Sequence, residues 1–334
     1  MNKKIIKWIT LIMILFIILL CTGIFSLCVG ASGIPLRKII SFFFDKNTGV
    51  ELSIIFDIRL PRIILGFAIG GALSIAGVIL QGMFVNPLVE PYTLGISGGA
   101  ALGVCLGISF KLTNKFGILS MPVLGILGAG MVIILIYFLN IKRGLFKIYE
   151  VLLTGVMISF VSSSFVMLIM AVSGAEDLRG IIFWMMGSLE EPNWLLIKIS
   201  VLISVIGLLA SYSLSISLNA LSLGEDNAQH LGINTETTKR LLFLISSILT
   251  GLSVSICGMI GFIGLVVPHF SRMLVGNDNR ILLICSYLCG AIFLILCDTL
   301  ARTIIAPLEL PVGVITGIFG GSLFVYAITK KRTL

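Results

Sequence analysis

IIKWITLIMILFIILLCTGIFSL, residues 5–27, carries one charged side chain, Lys7, and is otherwise almost wholly apolar. About 20 such residues wound as a helix cross a hydrocarbon core about 30 Å thick. Neither this run nor Met131–Leu139 alternates apolar with polar residues, which excludes the strands of a transmembrane barrel for them. Similar runs recur at residues 61–82, 93–110, 118–139, 149–172, 194–214, 239–258, 261–275, 280–298 and 311–329, with short polar joints between them. The composition agrees: 58% of the 334 residues are hydrophobic and 11% charged, against about 25% charged in a soluble domain. The expected fold is all-α, a single polytopic membrane domain over residues 1–334 with about ten transmembrane helices.

The first run follows Lys3 and Lys4 and so resembles a signal peptide, but it is long for that role and reads as a retained helix. Ile18, Leu19 and Leu20, ahead of Cys21, are not the small residues that precede a lipid-modified cysteine. An even number of crossings puts both termini on one side. The joints of that side hold Lys3, Lys4, Lys7, Lys142, Arg143, Lys147, Lys239, Arg240, Arg272, Arg280, Lys330, Lys331 and Arg332. Against them stand Glu90, Glu150, Glu225, Asp226, Glu236 and Asp278. On the opposite side Arg37, Lys38, Lys46, Arg59, Arg62, Lys111, Lys115, Arg179 and Arg302 are nearly balanced by Asp45, Glu51, Asp57, Glu176, Asp177, Glu190, Glu191, Asp298 and Glu309. The basic excess marks the side of the termini as cytoplasmic. It also accounts for the net charge of +8 without a nucleic-acid partner.

The eighth run is short, and its Gly261, Gly264 and Pro268 suggest a half-length element, tolerable only where protein rather than lipid surrounds it. Ten crossings divide into two five-helix halves of opposite orientation, a common transporter pattern. A faint echo links GALSIAG (71–77) with GLSVSICG (251–258), each followed by a proline, Pro87 or Pro268. Gly95, Gly99, Gly103 and Gly107 repeat every fourth residue, as do Gly313, Gly317 and Gly321, giving two flat helix faces. The first reads as packing within the chain; the second could equally meet another subunit or line a pathway. The seven cysteines lie in apolar runs without CxxC spacing, and His230 and His269 are far apart, so neither metal nor cofactor is expected. No HExxH and no carboxylate pair within an apolar run points to catalysis or a proton relay. The chain also lacks GxxxxGK[ST], so any ATP hydrolysis by that route belongs to a partner.

RLPR (59–62) followed by GGALSIAGVILQGMFVNPLVEPYTLGISGGAALG (70–103) resembles the signature of the FecCD permeases, which import ferric siderophores, heme and cobalamin. LGEDNAQHLGI (223–233), GFIGLVVPHFSRMLVGNDNR (261–280) and DTLARTIIAPLELPVGVITGIFGG (298–321) agree in order and spacing. The resemblance implies the transmembrane subunit of a type II ABC importer. It also implies a homodimer with its pathway on the two-fold axis, two cytoplasmic ATPase subunits and an extracytoplasmic substrate-binding protein.

By the same resemblance residues 219–238 are the segment that couples to the ATPase, with Gly224, Glu225, Asp226, Ala228, Leu231 and Gly232 as contacts; the alternative is a solvated loop. Arg59, Arg62 and Arg302 are implied to receive acidic residues of the binding protein, with lipid snorkelling or a local Asp298–Arg302 pair as the alternative. Asn86, Pro87 and Leu88 are implied at a cytoplasmic gate, or form an ordinary rigid turn. Thr154, Ser159, Ser162, Ser163 and Ser164 of the fifth helix, with Gly313 and Gly317 of the tenth, are candidates to line the pathway, though serine also packs helices. The leading substrate is an iron chelate such as a ferric siderophore or heme, and cobalamin is the alternative. A self-sufficient secondary transporter is a third reading, disfavoured by the scarcity of charge at membrane depth.

Overall fold

In the computed structural model, which describes residues 3–30, 33–35, 37, 50–112, 116–117, 119–141, 148–191 and 193–331, the apolar runs are helices and no strand occurs among the described residues. In chain order they are α1 (Lys3–Cys28), α2 (Leu60–Met83), α3 (Ile96–Ser109), α4 (Ser120–Ile141), α5 (Ile148–Val172), α6 (Ala175–Met185) and α7 (Trp194–Ser213). Then come α8 (Ser215–Leu221), α9 (Glu225–His230), α10 (Thr235–Cys257), α11 (Ile263–Val275), α12 (Asn279–Ala301) and α13 (Val312–Lys331). A π-helical stretch, Ile54–Arg59, leads into α2, and a 3₁₀ turn, Pro91–Leu94, leads into α3. Among the described residues seven helices are long and apolar enough to cross a membrane and three more are shorter, and together they coincide with the ten crossings read from the sequence. The charged residues Lys38, Asp45, Lys46, Lys115, Lys142, Arg143, Lys147 and Arg332 of the side assignment lie outside the described residues.

Helix α2 is the axis of the bundle: 83% of its apolar window is buried, against 17% for α5. Its small residues make that position possible. A Cβ at Gly70 would land on the Gly290 carbonyl of α12, and one at Gly77 on the Gly264 carbonyl of α11. Backbone-to-backbone approach of this kind lets van der Waals packing hold helices together where lipid removes most of the hydrophobic drive. Between these contacts the Tyr287 ring meets Phe67 edge-on at 5.1 Å, and its hydroxyl lies 3.0 Å from Ser204 Oγ on α7. The first glycine stripe serves packing too. Gly99 and Gly103 face the Gly128 and Leu124 carbonyls of α4.

Helices α3 and α11, with 14 and 13 residues, are too short to cross a core of about 30 Å. Each is the third apolar helix of its half, and each follows a stretch of broken backbone. The two breaks bond to one another. The Tyr92 hydroxyl accepts from Ile260 N–H and donates to Ile260 C=O, both at 2.9 Å, and Glu90 Oε1 accepts from Phe262 N–H at 2.6 Å. Away from water an open peptide group costs free energy, so one phenol and one carboxylate close what the interrupted helices leave open. Tyr92→Phe should therefore lower the melting temperature of the detergent-solubilised protein, by an amount equivalent to about 1–3 kcal/mol. An unchanged melting curve would show that the Ile260 peptide finds other partners.

Candidate functional site

Two polar regions lie at opposite ends of the bundle. At the first, the end that charge bias assigns to the exterior, the start of α2, the ends of α1 and α12 and the segments entering α7 and α13 converge. Pro61 suits the first turn of α2, where no N–H partner is needed. Arg59, Arg62 and Arg302 all turn inward, with 3–5% of their surface exposed. Arg59 Nη1 donates to Leu27 C=O at 2.6 Å. Arg302 donates from Nε to Asp298 Oδ2 and from Nη2 to Ser26 Oγ, each at 2.9 Å. Arg62 donates to Glu190 and, at 2.6 Å, to Glu309, with Asp298 at 3.8 Å. What the cluster shows to solvent is carboxylate: the Glu190 side chain is 62% exposed and that of Glu309 44%.

The two glutamates answer Arg62 differently. Burial pushes the Glu190 carboxyl up, against the pull of Arg62. Burial acts the same way on Glu309, but the hydrogen bond and charge of Arg62 win there and hold it below the usual carboxylate range. Of these two glutamates, Glu190 therefore takes up a proton before Glu309. Burial also raises Glu191, which lies beside it.

At the other end, α8, α9 and the start of α10 form the polar segment. Gly224 caps α9 with φ +105° and Gly232 ends it with φ +80°, conformations open to glycine at little cost. Ala228 is buried, whereas Asp226 is exposed and Leu223 and Leu231, flanking α9, are each 64% exposed. Glu225 is not free in the same way: its Oε1 lies 2.7 Å from Lys239 Nζ, and Lys239, buried on α10, also pairs with Glu236 at 3.0 Å. A buried ammonium thus fastens α9 to α10.

The Asn86–Leu88 joint lies at this same end, directly after α2. Asn86 Oδ1 accepts from Leu88 N–H at 2.9 Å, an Asx turn that stiffens the joint, while Asn86, Pro87 and Leu88 are all exposed. Of the candidate lining residues, Thr154 and Ser164 donate to carbonyls of their own helix, Glu150 and Phe160. Ser159 is half-buried, Ser162 buried and Ser163 exposed. Gly313 is wedged against the Met186 and Met259 carbonyls, a packing position, whereas Gly317 faces open space. Sequence reading missed α6 and the meeting of residues 184–188, 257–259 and 312–313. There Ser188 N–H donates to Cys257 C=O at 2.8 Å and Val312 N–H to Gly187 C=O at 3.1 Å. Gly187, Gly258 and Gly313 were the only signal.

Residues 15–330 match the model of the FecCD transport family. The chain is 37% identical over 325 residues to the hemin transport system permease protein HmuU of Yersinia pestis, covering 95% of each protein. It is 36% identical over 279 residues to the cobalamin import system permease protein BtuC of Halobacterium salinarum, covering 84% of this chain and 74% of that one. Among solved structures, an ABC transporter of metal-chelate type in an inward-facing conformation superposes with a TM-score of 0.84. It is 31% identical and covers 97% of this chain and 99% of its own.

Proposed function

Because this chain belongs to the FecCD transport family, we propose that it is the permease subunit of an ATP-driven importer, carrying a bulky metal chelate such as heme or a ferric siderophore into the cytoplasm. The observation that carries the reading is the exposed helix α9, fastened to α10 through Lys239. From there a continuous physical path exists. Helix α10 ends at the break over residues 258–262, the break is bonded to Glu90 and Tyr92, and these follow directly on the Asn86–Leu88 joint. A push on α9 by a cytoplasmic ATPase dimer can then reach that joint as rigid-body motion. Such a subunit works as one of two copies, with both termini cytoplasmic.

On the outer side, docking of a binding protein through Arg59, Arg62 and Arg302 requires an exchange, in which the partner's carboxylates replace Glu190 and Glu309 on Arg62. A cobalamin importer is the second reading, favoured by the 36% identity to a cobalamin permease, nearly equal to that for the hemin permease.

The test uses the difference between two neighbouring carboxylates. Asp226→Lys reverses the charge in the contact without touching the Glu225–Lys239 tether, and should lower ATP-driven uptake about tenfold with the protein level in the membrane unchanged. Uptake at the unmodified rate would remove α9 from the coupling path.

A further inference from the structure

At the end of the bundle that carries α9, a cavity of about 530 Å³ opens between the ends of α2, α8 and α11 and the turn before α12. Gln81, Asn86, Asn219, Arg272, Asn277 and Asp278 line it. Arg272 has no carboxylate within ion-pair distance among the described residues, and its hydrogen bond goes to the neutral amide oxygen of Gln81. Asp278 is the one acid on the wall, and it is already taken. Arg280 donates to it at 3.0 and 2.8 Å, Asn219 at 3.2 Å and Lys4 at 3.4 Å. The hydrogen bonds from Arg280 hold its carboxyl well below the usual range, so it stays charged and occupied. Lys4, Arg272 and Arg280 thus stand against a single carboxylate, and the cavity keeps an uncompensated positive charge.

Its depth in the membrane is marked by Trp8. Lys4 sits 4.8 Å and Arg280 5.5 Å from the centre of that ring. Tryptophan with cations at its face is the composition of the interfacial layer, level with lipid phosphates. The rim is apolar, with Val85 and Leu223 both lining the cavity and exposed.

We propose that this cavity binds a phosphoryl oxyanion, with the Arg272 guanidinium as its ion partner and the side-chain amides of Asn86 and Asn277 as further donors. A guanidinium fork matches phosphate oxygens two at a time. The volume lies in the range of small-molecule sites. Basic pockets between transmembrane helices at this depth accept anionic head groups, so the location favours a phospholipid over free phosphate as the source. A head group held there would tie the Asn86 joint to α11. The inference uses the placement of the chain in a membrane and nothing of its transport cycle.

The test takes the full chain in detergent and counts adducts of dihexanoyl phosphatidylglycerol and dihexanoyl phosphatidylcholine by native mass spectrometry, with inorganic phosphate followed by its effect on the melting temperature. Phosphatidylglycerol should be retained roughly five- to tenfold better than phosphatidylcholine. Arg272→Gln should erase that preference, and Arg272→Lys should keep part of it. If Arg272→Gln fails to accumulate, Asn277→Asp puts a negative charge at the exposed mouth without disturbing Arg272 and should give the same loss. Stabilisation by inorganic phosphate with no preference between the lipids would keep the oxyanion site and assign it to free phosphate. Equal retention of both lipids with no effect of phosphate, or a preference that survives the variants, would overturn the proposal.

Discussion

Gly77→Val yields no folded protein in the membrane. A side chain at this position would land on the Gly264 carbonyl, and neither backbone can withdraw. Helix α2 is enclosed along most of its length. Gly264 in turn is held by the Gln81 amide, which donates to the Gly264 and Leu265 carbonyls at 3.1 and 3.3 Å. A Cβ added at Gly264 itself would meet the Pro91 ring and the Leu73 carbonyl of α2. Overpacking in a closed core costs about 1–3 kcal/mol where side chains can shift, and more where backbone must move. The paired control is Gly317→Val on α13, where, its own helix backbone aside, no atom among the described residues lies within 4 Å of the added Cβ. Levels of monodisperse protein after solubilisation should separate the two variants completely. Equal levels would mean that α2 and α11 are not in backbone contact.

Arg62→Gln has the next largest effect, a loss of about 2–3 kcal/mol read as a lower melting temperature. Breaking a buried pair is costly because it strands the partner's charge. Here Asp298, 3% exposed, loses one of its two guanidinium neighbours, though Arg302 remains at 2.9 Å, which keeps the loss toward the lower end. Glu190 and Glu309 are partly exposed and recover hydration, so they add little. Adding Glu309→Gln to Arg62→Gln should change the melting temperature little further, whereas adding Asp298→Asn should lower it again, because the buried Arg302 then loses its carboxylate partner. If Arg62→Gln melts like the unmodified protein, the guanidinium is not a tie between helices, and its inward pairing has no structural weight.

The ten crossings were legible because each is an apolar run of the length a bilayer demands, a signal that needs no tertiary information. The glycine stripe of α3 was legible as packing for a similar reason, since four-residue spacing puts small residues on one helix face. The shortness of α11 was also written in Gly261, Gly264 and Pro268. What could not be read is what lies opposite what. Arg62 and Glu309 are 247 residues apart, and nothing in their local sequence tells that a guanidinium read as facing outward is enclosed by carboxylates of its own chain. Glu225 likewise reads as a free surface charge until Lys239 is seen buried behind it. The bond between the two helix breaks was hidden because Tyr92 and Ile260 stand 168 residues apart, and nothing local tells that they meet. Helix α6, AEDLRGIIFWM, is amphipathic and too short for a bilayer, so a search for spanning runs passes over it.

The proposed permease is a membrane gate driven from outside itself, by an ATPase acting on α9. The most direct test is uptake of a radiolabelled iron chelate into proteoliposomes holding this permease with its ATPase and binding protein, compared with liposomes holding the permease alone under an ion gradient. Accumulation only in the complete assembly with ATP, abolished when the ATPase is left out, is the predicted result. Accumulation by the permease alone would contradict it.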